Sequence, residues 1–172
     1  MAGTGRARQI NGVDVDALLE YIDAVQVDPA RADRHPAVTA RWIGGTRAEV
    51  VSTLGGPPVY IGGDDDPSAM GMLLRAMAAC DVEVVVNKAS LLGIEIEQLS
   101  VETRGYFNVR RYLGLEAETD SGYQNVAYTI RLRTRGATAE QIEQIKHACE
   151  YGSPIADTLR RIVPVDAGFE VS

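Results

Sequence analysis

The stretch from Met70 to Leu92 limits most severely what this chain can become. Nearly every position in it is Met, Leu, Ala, Val or Cys, and the run stops at Gly93, the residue best suited to end a helix. Arg75, Asp81, Glu83 and Lys88 interrupt it, whereas a membrane span needs about 18 residues almost free of charge. The pattern predicts a core helix covered on most of its sides, as in a layered fold or an intertwined dimer. Asp66, followed by Pro67, is the expected cap at its start, because proline at the first helical position loses no hydrogen bond.

Such a helix needs apolar faces to meet it, and the flanking sequence supplies them. Val38 to Thr53 favours two paired strands around a Gly44-Gly45 turn, and Val59 to Ile61 can add a short third. Ile94 and Ile96 alternate with Glu95 and Glu97, while Leu99, Val101 and Thr103 alternate in the opposite phase, which places a bulge at Gln98. The clearest strand runs from Val126 to Thr134, with one face for the core and one for water. Val15, Leu18, Leu19, Ile22 and Val25 mark one side of a helix that Pro29 must end. Thr138 and Gln141 have the spacing of a capping box, and Ile142, Ile145 and Cys149 follow on one helical face until Gly152-Ser153-Pro154. Two or three helices against antiparallel strands predict an α+β fold. Residues 1–37 read as an N-terminal extension with a short helix, loose at its Gly- and Arg-rich start, and residues 38–172 as one domain.

Seventeen basic against twenty-four acidic side chains leave a formal charge of -7, which disfavours a broad nucleic-acid surface. The first ten residues hold no apolar segment of the kind a signal peptide needs, so the expected setting is the cytoplasm, with no membrane partner. The glycines form no phosphate-binding fingerprint and Ser153 lies in no GxSxG elbow. His35 and His147 are far apart, and Asp64-Asp65-Asp66 lacks calcium-loop spacing, so neither a metal site nor a cofactor is expected. Tyr106, Phe107, Tyr112 and Tyr123 surround a Gly-containing connection and can pack in a core, cover a subunit seam or wall a pocket.

The segment Pro67-Ser68-Ala69-Met70-Gly71-Met72-Leu73-Leu74-Arg75-Ala76-Met77-Ala78-Ala79-Cys80 resembles the helix of the OsmC/Ohr family, the osmotically inducible and organic-hydroperoxide-resistance proteins. Gly93 to Glu97 resembles the strand after that helix, Ser153 to Leu159 the family's second motif, and Arg161 to Val165 its closing Pro-Val segment. The likeness covers roughly residues 38 to 165. It implies an OsmC-like α+β fold with long central helices packed against curved antiparallel sheets in an intertwined homodimer. It also implies a peroxidatic cysteine at Cys80 and a pocket from the second motif that includes Ser153, Pro154 and Asp157. The family's glutamate, nine residues before the cysteine, falls on Gly71, and its resolving cysteine falls on Gly152. Both helpers of the family's chemistry are thus missing from their places.

A hydroperoxide is attacked by a thiolate, so Cys80 requires a source of activation. Glu83, one helical turn on, opposes ionisation unless an arginine neutralises it, and Arg75 lies about 140° around the helix from Cys80. Arg41 and Arg47 in the early strands are the candidate activating cations. Three functions follow from the resemblance. One is a weak single-cysteine hydroperoxide reductase that uses an external thiol; another is a non-catalytic dimer binding a small apolar or thiol-bearing ligand; the third is a structural partner with a filled pocket. Without the resemblance, Cys80 and Cys149 both read as small buried hydrophobes.

Overall fold

The computed structural model describes residues 7–171. The glycine- and arginine-rich start expected to be loose falls mainly on residues 1–6, outside that range. Asn11 and Gly12 take left-handed backbone, with φ of +52° and +81°, and so close a small hairpin between β1 (Gln9–Ile10) and β2 (Val13–Asp14). Asn-Gly is the pair that such a tight turn selects. Asp14 then caps α1 (Val15–Val27), its carboxylate accepting from the Ala17 amide. A short 3-10 turn at Pro29–Ala32 follows in the stretch read as a linker.

The expected hairpin forms from β3 (Val38–Gly44) and β4 (Arg47–Ser52), and β5 (Val59–Ile61) pairs on the far side of β4. The long helix, α2 (Ala69–Leu91), is capped not by Asp66 but by Ser68, whose Oγ accepts from the Gly71 amide at 3.0 Å. Asp66 is held instead by the Arg47 guanidinium at 2.7 Å. A charge-assisted pair occupies that carboxylate, and serine two residues on is an equally good cap.

Beyond α2, β6 (Glu95–Phe107) and β7 (Tyr123–Arg135) make a long antiparallel ribbon. Its register shifts between Ile96 and Gln98, so Glu97 is the extra residue of the bulge. Leu99, Ile130 and Leu132 turn inward onto a core of Val85, Ala89, Ile94, Ile145 and Cys149. The capping box appears as read: Thr138 and Gln141 exchange hydrogen bonds at the start of α3 (Ala139–Gly152). Pro154 opens the short α4 (Pro154–Arg160).

The N-terminal hairpin is fastened to this core by side chains the sequence reading passed over. Asn11 Nδ2 donates to Ile94 O and Ser90 Oγ, its Oδ1 accepts from the Ile96 amide, and Ser90 Oγ donates to Ile10 O. The Asn11-Gly12 dipeptide was the available signal.

The α+β class and the packing of helices on sheets stand, but the curved sheets and intertwined homodimer implied by the resemblance do not. The strands form three separate pieces of two, three and two strands, none of them curved around α2. In this single chain, the buried row of α2, Met77, Asp81, Val85 and Ala89, is covered by the chain's own ribbon and by α3 and α4. Nor is α2 covered on most sides, since Arg75, Ala76, Ala79, Val82 and Glu83 form an exposed stripe. A two-stranded ribbon is narrower than the helix circumference it would have to wrap, so small side chains and charges sit on the side left open.

Candidate functional site

Cys80 lies on α2 where the helix passes the junction of α3 and α4. Its thiol is partly exposed, and its Sγ is 3.5 Å from the Ser153 Oγ, with either atom able to donate. Ser153 is buried and ends α3 while starting α4. A serine at such a start ordinarily turns its hydroxyl to the first free amides of the helix. Here it makes no such cap and faces the sulfur instead. Pro154 at the first helical position has no amide hydrogen, which reduces the need for the cap. The second motif thus brings one side chain, Ser153, to Cys80.

The other residues singled out go elsewhere. Asp157 pairs with Arg161 at 2.7 Å on the exposed side of α4. Arg41 pairs with Glu49 at 3.5 Å and Arg47 with Asp66 at 2.7 Å, so both candidate activating cations are occupied by carboxylates of the three-stranded sheet and its following loop. Gly71 sits in the first turn of α2, where an added Cβ would come 3.1 Å from the capping Ser68 Oγ. Gly152 is the last residue of α3, and a Cβ there would meet open space. Phe107 and Tyr123 stack edge to face at 5.2 Å, and the Tyr123 hydroxyl donates to Met70 O, anchoring the start of α2 to the ribbon. Tyr106 and Tyr112 remain exposed.

The two thiols differ sharply. Cys149 is buried on α3, and burial first, then the negative Asp81 carboxylate, pushes its pKa from 9.0 up to about 11. It is therefore a neutral thiol at physiological pH. Asp81 itself is fully buried, and neither of its oxygens has a hydrogen-bond partner among the described residues. The sequence reading treated Asp81 only as a charge interrupting an apolar run. Its spacing of four from both Met77 and Val85 could have placed it in the buried row.

A cavity of about 440 Å³ opens beside the site, between Met77 of α2, the first half of β7, and Ala156, Leu159 and Arg160 of α4. Met77 is one helical turn before Cys80, and Ala156 one turn after Ser153. A larger hollow of about 880 Å³ lies in the connection between β6 and β7, and neither it nor the smaller cavity is lined by a cysteine. Among the described residues no cluster of three or more His, Cys, Asp or Glu could hold a metal ion, and no helix is long and apolar enough to cross a membrane.

Residues 62–167 match the family described as OsmC-like protein. Solved structures agree with that match in fold. An OsmC-like protein from Mycoplasma pneumoniae shares 14% identity over 74% of this chain and 89% of its own, with a TM-score of 0.62. An OsmC-like protein of unknown function from Vibrio cholerae shares 10% identity over 73% and 94%, with a TM-score of 0.59. An organic hydroperoxide resistance protein from Elizabethkingia anophelis shares 14% identity over 75% and 90%, with a TM-score of 0.53. No curated protein matches the chain. With the family match spanning well over half of its length, and the helix, ribbon and second motif arranged as described, the chain belongs to the OsmC-like protein family.

Proposed function

We propose that this protein is a weak, single-cysteine hydroperoxide reductase in which Cys80 attacks organic peroxides and an external thiol completes the cycle. The carrying observation is the contact between the partly exposed Cys80 Sγ and the buried Ser153 Oγ at 3.5 Å. A hydroxyl at that position can accept from the sulfur or donate to it, and so can hold and orient the attacking atom. Cys149, buried and held neutral, is unsuited to the same role.

In the proposed cycle the Cys80 thiolate attacks the terminal peroxide oxygen. The O–O bond breaks, an alcohol leaves after taking up a proton, and the sulfur becomes a sulfenic acid. An external thiol condenses with it to a mixed disulfide, releasing water. A second external thiol then displaces Cys80 as a thiol, and the electrons leave in the reductant's own disulfide. With Gly152 where a resolving cysteine would stand, both reducing equivalents come from outside the chain. A reducing, cytoplasmic setting suits that requirement, and a second copy of the chain is the proposed protein partner, without the interwound architecture corrected above. In this reading residues 38–172 are the functional domain and 1–37 an extension tied to it through Asn11.

The test is a single turnover with tert-butyl hydroperoxide, with sulfenic acid trapped by dimedone and located by mass spectrometry. Cys80 is expected to oxidise faster than Cys149 and faster than free glutathione, and Ser153→Ala to slow it about three- to tenfold, as loss of one hydrogen bond predicts. If Cys80 in the folded protein reacts no faster than glutathione, the proposal fails. Gly71 and Gly152 favour a second reading, a small-ligand-binding protein without redox chemistry. In that case a ligand protects the wild type and Cys80→Ala equally against heat.

A further inference from the structure

The cavity beside the thiol has an electrostatic asymmetry of its own. Its lining contains one charged side chain, Arg160, and no carboxylate. The Arg160 guanidinium donates to the Glu150 carbonyl and to the Tyr128 hydroxyl, the latter at 3.3 Å. Among the described residues it forms no ion pair, whereas its neighbour Arg161 is taken by Asp157 and the ribbon arginines 104, 131, 133 and 135 are all matched to glutamates. Tyr128 accepts from Arg160 and so keeps its own proton for another acceptor. The rest of the lining is mixed: Met77, Val126, Ala156 and Leu159 are apolar, while Gln124 and Asn125 add two neutral amides from the start of β7.

We propose that this cavity binds a medium-chain monocarboxylic acid, its carboxylate held by the Arg160 guanidinium and the Tyr128 hydroxyl and its hydrocarbon lying along Met77, Val126, Ala156 and Leu159. A planar guanidinium fork matches a carboxylate's two oxygens, and the hydroxyl supplies a further donor. The apolar part of the lining, on α2 and α4 and at Val126, favours an acid with a hydrocarbon body over inorganic phosphate, which would leave it uncovered. The volume of about 440 Å³ lies within the range of small-ligand sites. The chain end of the acid would lie near Met77, one helical turn from Cys80. This binding does not depend on whether Cys80 reacts.

The experiment is calorimetric titration of the full chain with octanoate, octanol and inorganic phosphate, at pH 7 and low salt. Octanoate is expected to bind the wild type and Cys80→Ala alike. Arg160→Gln should weaken it about tenfold and Tyr128→Phe about threefold, as the loss of a charged and a neutral hydrogen-bonding partner predicts. Octanol and phosphate should bind at least tenfold more weakly than octanoate. Arg160 is exposed, so Arg160→Gln is expected to keep the wild-type melting temperature in the absence of ligand. Undetectable octanoate binding, affinity unchanged by Arg160→Gln, or octanol or phosphate binding as well as octanoate would each overturn the proposal. Loss of binding in Cys80→Ala alone would overturn the independence from the thiol. A slow peroxide reaction with intact octanoate binding would remove only the redox reading.

Discussion

Cys149 shows how one buried atom links pH to stability. In the unfolded chain its thiol loses a proton near 9.0, whereas in the fold burial and the Asp81 carboxylate delay that loss to about 11. Between those values the unfolded state binds fewer protons than the native one, so stability falls as pH rises. The full effect is on the order of 3 kcal/mol, present below pH 9 and lost as pH rises through about 11. Urea denaturation across that window should show a steeper decline for the wild type than for Cys149→Ala. Asp81→Asn should lie between them, since it removes the smaller of the two causes. Equal slopes in wild type and Cys149→Ala would show that this thiol is not the titrating group. The pairing of Cys80 with Ser153 was half legible in the sequence: the second motif marked Ser153, but only folding reveals that its hydroxyl forgoes a helix cap to face the sulfur.

The elements hold together through a few polar fasteners at their ends. Thr103 Oγ1 donates to Leu74 O and Tyr123 OH to Met70 O, pinning the ribbon to the first half of α2. Asn11 fastens the N-terminal hairpin to the other end of that helix and to the start of β6. Asn11→Ala deletes three hydrogen bonds and puts alanine at φ +52°, so a loss of about 2 to 3 kcal/mol is expected in chemical denaturation. A change below about 0.5 kcal/mol would mean the hairpin contributes little to the fold. The strands from Val38 onward, the capping box at Thr138 and the bulge beside Gln98 were readable, because alternation and cap spacing are local properties, whereas the N-terminal hairpin was not anticipated. The cap of α2 was misread because Asp66 has an alternative partner, Arg47, brought to it by the preceding hairpin, and no local pattern records such a competition.

At the scale of the whole molecule, charge and apolar surface are unevenly spread. The C-terminal stretch after Arg161 leaves Ile162, Val165, Phe169 and Val171 all more than four-fifths exposed, on a chain whose charge of -7 opposes self-association at neutral pH. Near its isoelectric point of about 4.8 that opposition vanishes, and light scattering should show association beyond a dimer peaking there and reversing at pH 7. Truncation after Arg161 should reduce the peak; an unaltered peak would locate the attraction elsewhere. The outer face of the β6–β7 ribbon has the opposite character. Glu102 is drawn below the usual carboxylate range by hydrogen bonds from Arg104 and then Arg131, while Glu97 reaches Arg133 and Arg135. Each of these groups is solvated, and stripping that water would cost more than the mutual attractions return. The molecule therefore has a side ill suited to a dry seam, and a neighbour that needs one has to make its approach from the directions this ionic lattice does not guard.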